Sequence, residues 1–264
     1  MYGTEPGQGY DAHRFPGSTG SVMPERRAMA DDTDVSPEKK WLAEERARVV
    51  VKNLQRRHIN ARYVANREEA LEAILGMIPP GVTVARGDSI TVDQVGILPE
   101  LVKRQQNTVL DPFKWDADGY YIDSETERRR MKREAFSADV FLAGSNAVTL
   151  DGKLVNTDGE GNRIAAMVYG PDKVILVVGT NKIVKDVDEA LERIHQVAAP
   201  MNARRHYLKH HEDSLANLPC VRTGRCVDCT HAEKICCYTV IIEGAMSSEK
   251  DRINVVLVGE ELGI

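Results

Sequence analysis

The chain has 264 residues, of which 42% are hydrophobic, 28% charged and 5% aromatic, a composition normal for a globular protein with a substantial core. Its 40 carboxylates outnumber 35 Lys and Arg side chains, and the net charge of -5 argues against a nucleic-acid partner. The sequence has no run of about 18 apolar residues and no basic-then-apolar leader, so we expect a cytoplasmic protein without a membrane partner.

Residues 1–35 form an arm rich in Gly, Pro, Ser and Asp that has no sustained apolar period. We expect this arm to be poorly ordered in isolation. Within it, the run from Gly7 to Phe15 resembles the start of methylerythritol cyclodiphosphate synthases, in which an Asp-x-His pair, here Asp11 and His13, binds a metal. The similarity ends there, so we interpret it as coincidence or as a remnant of gene history.

The pattern after the arm alternates between helices and short apolar strands. Ser36 followed by Pro37 is typical of a helix N-cap with proline at the first helical position. Ser124 and Glu127 have capping-box spacing, which predicts the start of another helix, ending near Phe136. The predicted elements of the first half are helix Ser36–Arg57, strand Ala61–Val64, helix Arg67–Ile78, strand Thr83–Ala85, helix Val92–Gln106 and strand Thr108–Leu110.

The second half continues the alternation as far as a cysteine-rich segment. Its predicted elements are strand Asp139–Ala143, strand Lys153–Asn156, helix Arg163–Val168, strand Val174–Val178, helix Val187–Val197, and strands Tyr238–Ile242 and Ile253–Val258. The segment Val174–Val178 is apolar throughout, as expected of a central strand covered on both faces. Alternation of this kind requires crossovers and predicts an α/β fold with a mostly parallel sheet flanked by helices. We assign residues 36–199 to this domain and 200–264 to a cysteine-bearing extension that returns to the sheet.

Two polar loops follow predicted strands. The longer loop, Gly144 to Arg163, combines four glycines with short polar side chains, which at the carboxyl edge of an α/β sheet bind hydroxyls, carboxylates or phosphates. A turn-rich hairpin would explain the same sequence of glycines and short polar residues. The shorter loop, Arg86 to Thr91, opens a helix whose amides attract anions, although a plain N-cap by Asp88 or Ser89 explains it equally well.

Charged side chains in and near these loops are the candidates for chemistry. Arg163 and Lys182 are suited to pairing with an anionic substrate. The available carboxylates, which could act as acid, base or nucleophile, are Asp88, Asp151, Asp158 and Glu160.

All five cysteines lie between Cys220 and Cys237. In a reducing compartment this clustering indicates a metal site before a disulfide. Four thiolates that include one Cys-x2-Cys pair, Cys226 and Cys229, suit a tetrahedral zinc ion or a [4Fe-4S] cluster, with free or redox-active thiols as the alternative. The histidines are less informative: His206 and His210 have helical ligand spacing, but no carboxylate is clearly placed to complete a site, so we expect surface histidines.

Several of these segments together resemble the LUD-domain (lactate utilization) family. They are Ala138–Ala147, Asn156–Arg163, Gly170-Pro171, Val178–Val184, Pro219–Cys229, Arg252-Ile253 and Leu262-Gly263. The similarity runs in order from Pro37 to Ile264. It implies a fold like that of sugar-phosphate isomerases and CoA-transferases, in a subgroup that carries a C-terminal four-cysteine motif.

The resemblance also implies a site. It places the two polar loops side by side, so that small anionic metabolites would bind to Ser89, Asn146, Asn156, Asn162, Arg163 and Lys182. It favours Cys236 over Cys237 as the fourth ligand after Cys220, Cys226 and Cys229. Because the family is associated with iron-sulfur partner proteins, it favours a [4Fe-4S] cluster over zinc.

The implied process is oxidation of lactate or a related small organic acid. The chain would be an oxidoreductase component or an isomerase- or transferase-like enzyme. One alternative is a non-catalytic electron-transfer or scaffold subunit for iron-sulfur partners; another is a regulatory binder of a phosphorylated metabolite. The sequence is also compatible with a homo-oligomer.

Overall fold

The computed structural model describes residues 32–264, and the Asp11 and His13 motif lies outside the described residues. The α-helices of the described part are α1 (Ser36–Arg56), α2 (Arg67–Leu75), α3 (Ile90–Val95), α4 (Ile97–Arg104), α5 (Glu125–Glu134), α6 (Asn162–Val168), α7 (Val187–Arg193), α8 (Ala199–Lys209) and α9 (Pro219–Thr223). Between residues 32 and 264, no helix is both long and apolar enough to cross a membrane.

The strands form two sheets. They are β1 (Asn60–Val64), β2 (Thr83–Arg86), β3 (Thr108–Leu110), β4 (Val140–Gly144), β5 (Ala147–Thr149), β6 (Leu154–Asp158), β7 (Lys173–Gly179), β8 (Ile183–Val184), β9 (Tyr238–Ile242) and β10 (Ile253–Val258). The main sheet has the order β1-β10-β7-β4-β2-β3 and is parallel throughout. The smaller sheet, β8-β5-β6-β9, mixes parallel and antiparallel pairs. The predicted α/β class with a mostly parallel sheet is confirmed.

Strand β7 shows why the main sheet needs cover on both faces. Val174, Leu176 and Val178 pack into one core, which also contains buried residues of α1, α6 and the smaller sheet. Ile175 and Val177 point to the opposite face and pack with buried residues of α2, α3 and α4. Because successive side chains of a strand alternate between faces, an all-apolar strand fills both cores. Each fully buried Val, Ile or Leu contributes about 1.5–3 kcal/mol.

The residues after 199 are part of both sheets. Strand β10 lies between β1 and β7 in the main sheet, while β9 pairs with β6 in the smaller one. Both strands have the bounds expected from the sequence. The cysteine-rich segment between α8 and β9 is therefore held at both ends by regular structure.

Three features differ from the sequence-based expectation. The helix expected at Val92–Gln106 is split into α3 and α4 at Gly96, whose φ of 78° ends the first helix in the left-handed region, a conformation that glycine adopts without steric cost. The helix expected to end at Val197 continues through a π-helical segment, Ile194–Ala198, into α8. Strands β5 and β8 were not expected, because both are short and depend on tertiary pairing.

Candidate functional site

The two polar loops meet at the carboxyl edge of the main sheet. Strands β2 and β4 are parallel neighbours, and β4 also pairs with β7, so the segments that follow all three strands emerge side by side. They surround a cavity of about 1150 Å³. Its lining includes eight of the site residues expected from the sequence: Asp88, Ser89, Asn146, Asp158, Glu160, Asn162, Arg163 and Lys182.

Asp151 lies elsewhere. Its carboxylate accepts hydrogen bonds from the Thr149 hydroxyl and from Arg57 at 2.9 Å, and Lys153 lies 3.7 Å away. These contacts hold the β5–β6 turn against the end of α1, away from the cavity lining. Asp151 is therefore not among the side chains that line the cavity, and its Asp-Gly dipeptide lies in a turn.

A polar network of the longer loop forms the floor of the cavity. The buried Asn156 accepts hydrogen bonds through Oδ1 from the Asn146 backbone N–H (3.1 Å) and from Arg163 Nη1 (2.9 Å). Its Nδ2 donates to Ser145 Oγ at 3.1 Å. Arg163 Nη2 donates to Asn146 Oδ1 and to the Thr157 carbonyl oxygen. Buried polar groups are stable only when paired, so this network fixes the shape of the floor.

Arg163 brings positive charge to this floor, and no carboxylate within residues 32–264 accepts a hydrogen bond from its guanidinium. The donors described above point to amide and carbonyl oxygens, which are neutral. Burial lowers the pKa of Arg163 from its ordinary value, and the charge of Asp158 opposes that shift. Because its Nη groups donate to oxygens of the loop, the guanidinium holds the loop in place, and its charge adds a positive field to the cavity floor.

Two of the expected carboxylates have structural partners. Asp158 accepts hydrogen bonds from the backbone N–H groups of Gly159, Arg163 and Ile164, so it satisfies donors at the start of α6. Glu160 is 66% exposed and pairs with Lys132 at 2.7 Å. Both lie on the cavity wall, but Asp88 is better suited to chemistry because it is buried deeper and faces other titratable groups.

Asp88 takes part in a charged cluster with side chains from α8 and the segment after it. Its Oδ2 accepts a hydrogen bond from Arg205 and lies 3.2 Å from His206 Nε2. The other imidazole nitrogen, Nδ1, lies 2.8 Å from Glu212 Oε1. His206 is thus held between two carboxylates, one near each ring nitrogen, and Arg205 Nη2 also lies 2.9 Å from Nε2.

The pKa values of this cluster follow from its geometry. Burial favours the neutral imidazole, but the hydrogen bonds to Asp88 and Glu212 outweigh it and raise the pKa of His206. Burial also opposes ionisation of Asp88, yet the hydrogen bond with His206 and the charge of Arg205 hold the pKa of Asp88 far below its usual range. At neutral pH Asp88 is therefore ionised, and its charge, together with that of Glu212, favours the protonated form of His206.

His206 and Arg205 were missed as site residues. The sequence carried a signal in the four-residue spacing of His206 and His210, but we expected surface histidines. The carboxylate that completes the cluster lies 118 residues away in the chain, beyond the reach of local spacing. His210, which follows α8, stacks on Trp115 with ring centroids 3.5 Å apart.

Among the described residues, no carboxylate forms an ion pair with Lys182, a basic side chain at the base of the cavity. It follows β7, is only 4% exposed, and donates from Nζ to Thr91 Oγ1 at 2.8 Å. Burial, reinforced by the charges of Arg193 and Arg163, lowers the pKa of Lys182 to about 7. A cation in this position is suited to receive an anion, because an incoming negative charge replaces the missing counter-ion.

The cysteines gather at a second, smaller cavity. Cys220, Cys226, Cys229 and Cys236 line it, and Cys237 does not. Burial raises the pKa of Cys220 and of Cys236, and neighbouring cysteines add to both shifts, so the four thiols are near one another. Within residues 32–264, no three or more His, Cys, Asp or Glu side chains stand in an arrangement that could hold a metal ion. A metal would have to draw the thiolates inward.

The main sheet is parallel and carries a polar cavity at its carboxyl edge, which places the chain in the class of α/β proteins built on a parallel sheet. Within that class, the chain belongs to the LUD domain family, whose model matches residues 47–258. Among curated proteins, no sequence is significantly similar to the chain.

Several solved structures match the chain at low sequence identity and low TM-score. The crystal structure of a DUF162 family protein from Deinococcus radiodurans has 15% identity and a TM-score of 0.43, covering 83% of this chain and 98% of that chain. For eIF2B beta from Chaetomium thermophilum the identity is 19% and the TM-score 0.30, over 47% of this chain and 41% of that chain. For ribose 5-phosphate isomerase from Plasmodium falciparum the identity is 12% and the TM-score 0.28, over 51% of this chain and 66% of that chain.

Proposed function

We propose that the chain is a lactate-utilization-type protein that binds a small organic anion, such as a 2-hydroxy or 2-oxo acid, in the carboxyl-edge cavity. The observation that carries this proposal is the pair of buried basic side chains at its base, Lys182 and Arg163, neither of which forms an ion pair with any described carboxylate. A ligand carboxylate would supply the missing negative charge. Membership of the LUD domain family supports this class of ligand.

The charged cluster beside these cations determines which proton chemistry is available. Because the hydrogen bonds with Asp88 and Glu212 raise the pKa of His206, they favour the imidazolium, which can act as an acid. His206 lines the same cavity and can donate a proton or a hydrogen bond to a ligand oxygen. Asp88 and Glu212 orient the ring and hold its charge.

Thermal unfolding of the purified chain with a panel of anions tests the proposal. We expect lactate and pyruvate to stabilise the wild type, by about 2.7 kcal/mol at a hundred times the dissociation constant, and neutral lactamide to have no effect. Lys182→Met should remove the stabilisation. Lys103→Met, at a 79% exposed side chain, is the matched control and should retain it.

Two results would contradict this function. Equal stabilisation by lactate and lactamide would mean that charge is not recognised. Undiminished binding of lactate to Lys182→Met would mean that the buried amine does not contribute. If inorganic phosphate and sugar phosphates bind while carboxylates do not, the alternative of a regulatory site for a phosphorylated metabolite replaces the proposal.

A second proposal concerns the cysteine cavity, where Cys220, Cys226, Cys229 and Cys236 would together hold a [4Fe-4S] cluster or, alternatively, a zinc ion. Their sharing of one small cavity supports it, as does the preference of both groups for four thiolates at such spacing. A cluster would supply one-electron transfer, and the chain would then serve iron-sulfur partner proteins as an electron-transfer or scaffold subunit. The fold holds the thiols on a segment anchored at both ends.

Adjacent cysteines provide the control for this second proposal. After anaerobic purification, we expect bound metal by elemental analysis, with a brown colour for a cluster and none for zinc. Cys236→Ser should lower the metal content, whereas Cys237→Ser should leave it unchanged, because Cys236 lines the cavity and Cys237 does not. A metal-free wild type, or equal loss in both variants, would refute the assignment.

A further inference from the structure

The chemical environment of Lys182 distinguishes it from an ordinary charge-pairing lysine. Its amine is buried at the cavity base, where its hydrogen bond goes to the neutral Thr91 hydroxyl. Other lysines near the functional loops are paired with acids: Lys132 with Glu160 at 2.7 Å and Lys153 with Glu243 at 3.3 Å. Among the described residues no carboxylate forms an ion pair with Lys182.

The charged groups that face Lys182 are themselves cationic. Arg193, from α7, donates to the carbonyl oxygens of Asn146 and Asn181, and Arg163 lies across the floor. Both charges disfavour a third cation nearby, and burial acts in the same direction, which gives the pKa near 7 described above. A lysine that is desolvated and placed beside cations is a suitable amine nucleophile, because a large fraction of it carries a free electron pair at neutral pH.

We infer that Lys182 Nζ is a nucleophile that forms an imine with the carbonyl carbon of a small 2-oxo acid bound in the cavity. This inference rests on the proposed function, in which the cavity binds lactate-type anions, since the oxidised form of a 2-hydroxy acid is a 2-oxo acid. It extends that function by assigning a covalent site and by naming a carbonyl-bearing ligand.

The step needs no external oxidant or reductant. The nitrogen lone pair of Lys182 forms the new C–N bond while the C=O π electrons move to the carbonyl oxygen. The two amine protons then pass to that oxygen, which leaves as water as the C=N bond forms. His206 lines the same cavity, and its imidazolium form, which Asp88 and Glu212 favour, can supply a proton to the departing oxygen and regain one from the nitrogen.

Reductive trapping tests the inference. The full-length protein is incubated with pyruvate and sodium cyanoborohydride at pH 7, digested, and mapped by mass spectrometry. An ordinary lysine with a pKa near 10.4 is neutral in roughly one molecule in two thousand at this pH. We therefore expect the reduced pyruvyl adduct at Lys182 to form at least about ten-fold faster than at the exposed Lys103, which serves as the internal reference.

Two variants separate this inference from the proposed function. Lys182→Arg keeps a cation at the cavity base but cannot form an imine, so it should lose the adduct while the Lys103 adduct is unchanged. Lys103→Met should keep the Lys182 adduct. Labelling of Lys182 no faster than that of Lys103, in a wild type that binds pyruvate in the thermal assay, would overturn the inference and leave the anion site standing. A wild type that binds no anion would instead overturn the proposed function.

Discussion

Replacing Lys182 by methionine should change the pH dependence of stability in a way that follows from the burial of its amine. In the folded chain the pKa of Lys182 is about 7, against an ordinary value of 10.5. Between these two values the unfolded chain binds the proton and the folded chain has lost it, so the stability of the wild type rises with pH in this window. Below pH 7 both states are protonated, and the full cost of burying the charge remains.

The gap between the two pKa values sets the size of the effect. It corresponds to about 5 kcal/mol in total and to a slope of about 1.4 kcal/mol per pH unit. Because the amine is only half deprotonated at pH 7, the wild type should therefore gain about 2 kcal/mol relative to Lys182→Met between pH 7 and pH 9. The loss of the hydrogen bond to Thr91 adds an offset that changes little with pH, and other titrating groups cancel in the difference between the two proteins.

Urea unfolding, followed by tryptophan fluorescence at intervals of one pH unit from 6 to 9, measures this difference. Lys103→Met is the control, and its difference from the wild type should stay flat because the Lys103 side chain is 79% exposed. A flat difference for Lys182→Met, or one that shrinks as the pH rises, would refute the argument that Lys182 is buried as an amine without a counter-ion.

Two further substitutions test the cluster and a tight turn. Asp88→Asn removes one of the two carboxylates that hold His206, so the pKa of His206 should fall in an NMR titration, and breaking the buried pairing should cost about 3 kcal/mol; an unchanged pKa would count against the geometry. At Gly152 the backbone has a φ of 86°, and an added Cβ would lie 2.7 Å from the backbone of α1. Gly152→Ala should therefore lower the free energy of unfolding by about 3 kcal/mol. Gly81→Ala has a φ of 84° in open space and separates the backbone strain from the clash: equal losses in both variants would disprove the close approach.

The sequence was sufficient for those features whose cause is local. An all-apolar segment such as Val174–Val178 can satisfy the hydrophobic effect only between two covering layers, and it became a central strand. The N-cap at Ser124 also depends only on a few neighbouring side chains. The same holds for the strand Ile253–Val258. The resemblance to the LUD-domain family is carried by many short sequence segments and therefore does not depend on tertiary contacts.

Other features depended on contacts between distant segments. The Asp-Gly of Asp151 and that of Asp158 look alike in sequence, yet only the second reaches the cavity, because β5 and β6 pair in one particular register. His206 became a site residue because α8 continues past the expected helix end and carries its imidazole to Asp88. Local propensity can predict a helix or a strand. The partner of a buried charge, however, depends on packing between elements far apart in the chain, so only the tertiary structure determined that His206 lies beside Asp88.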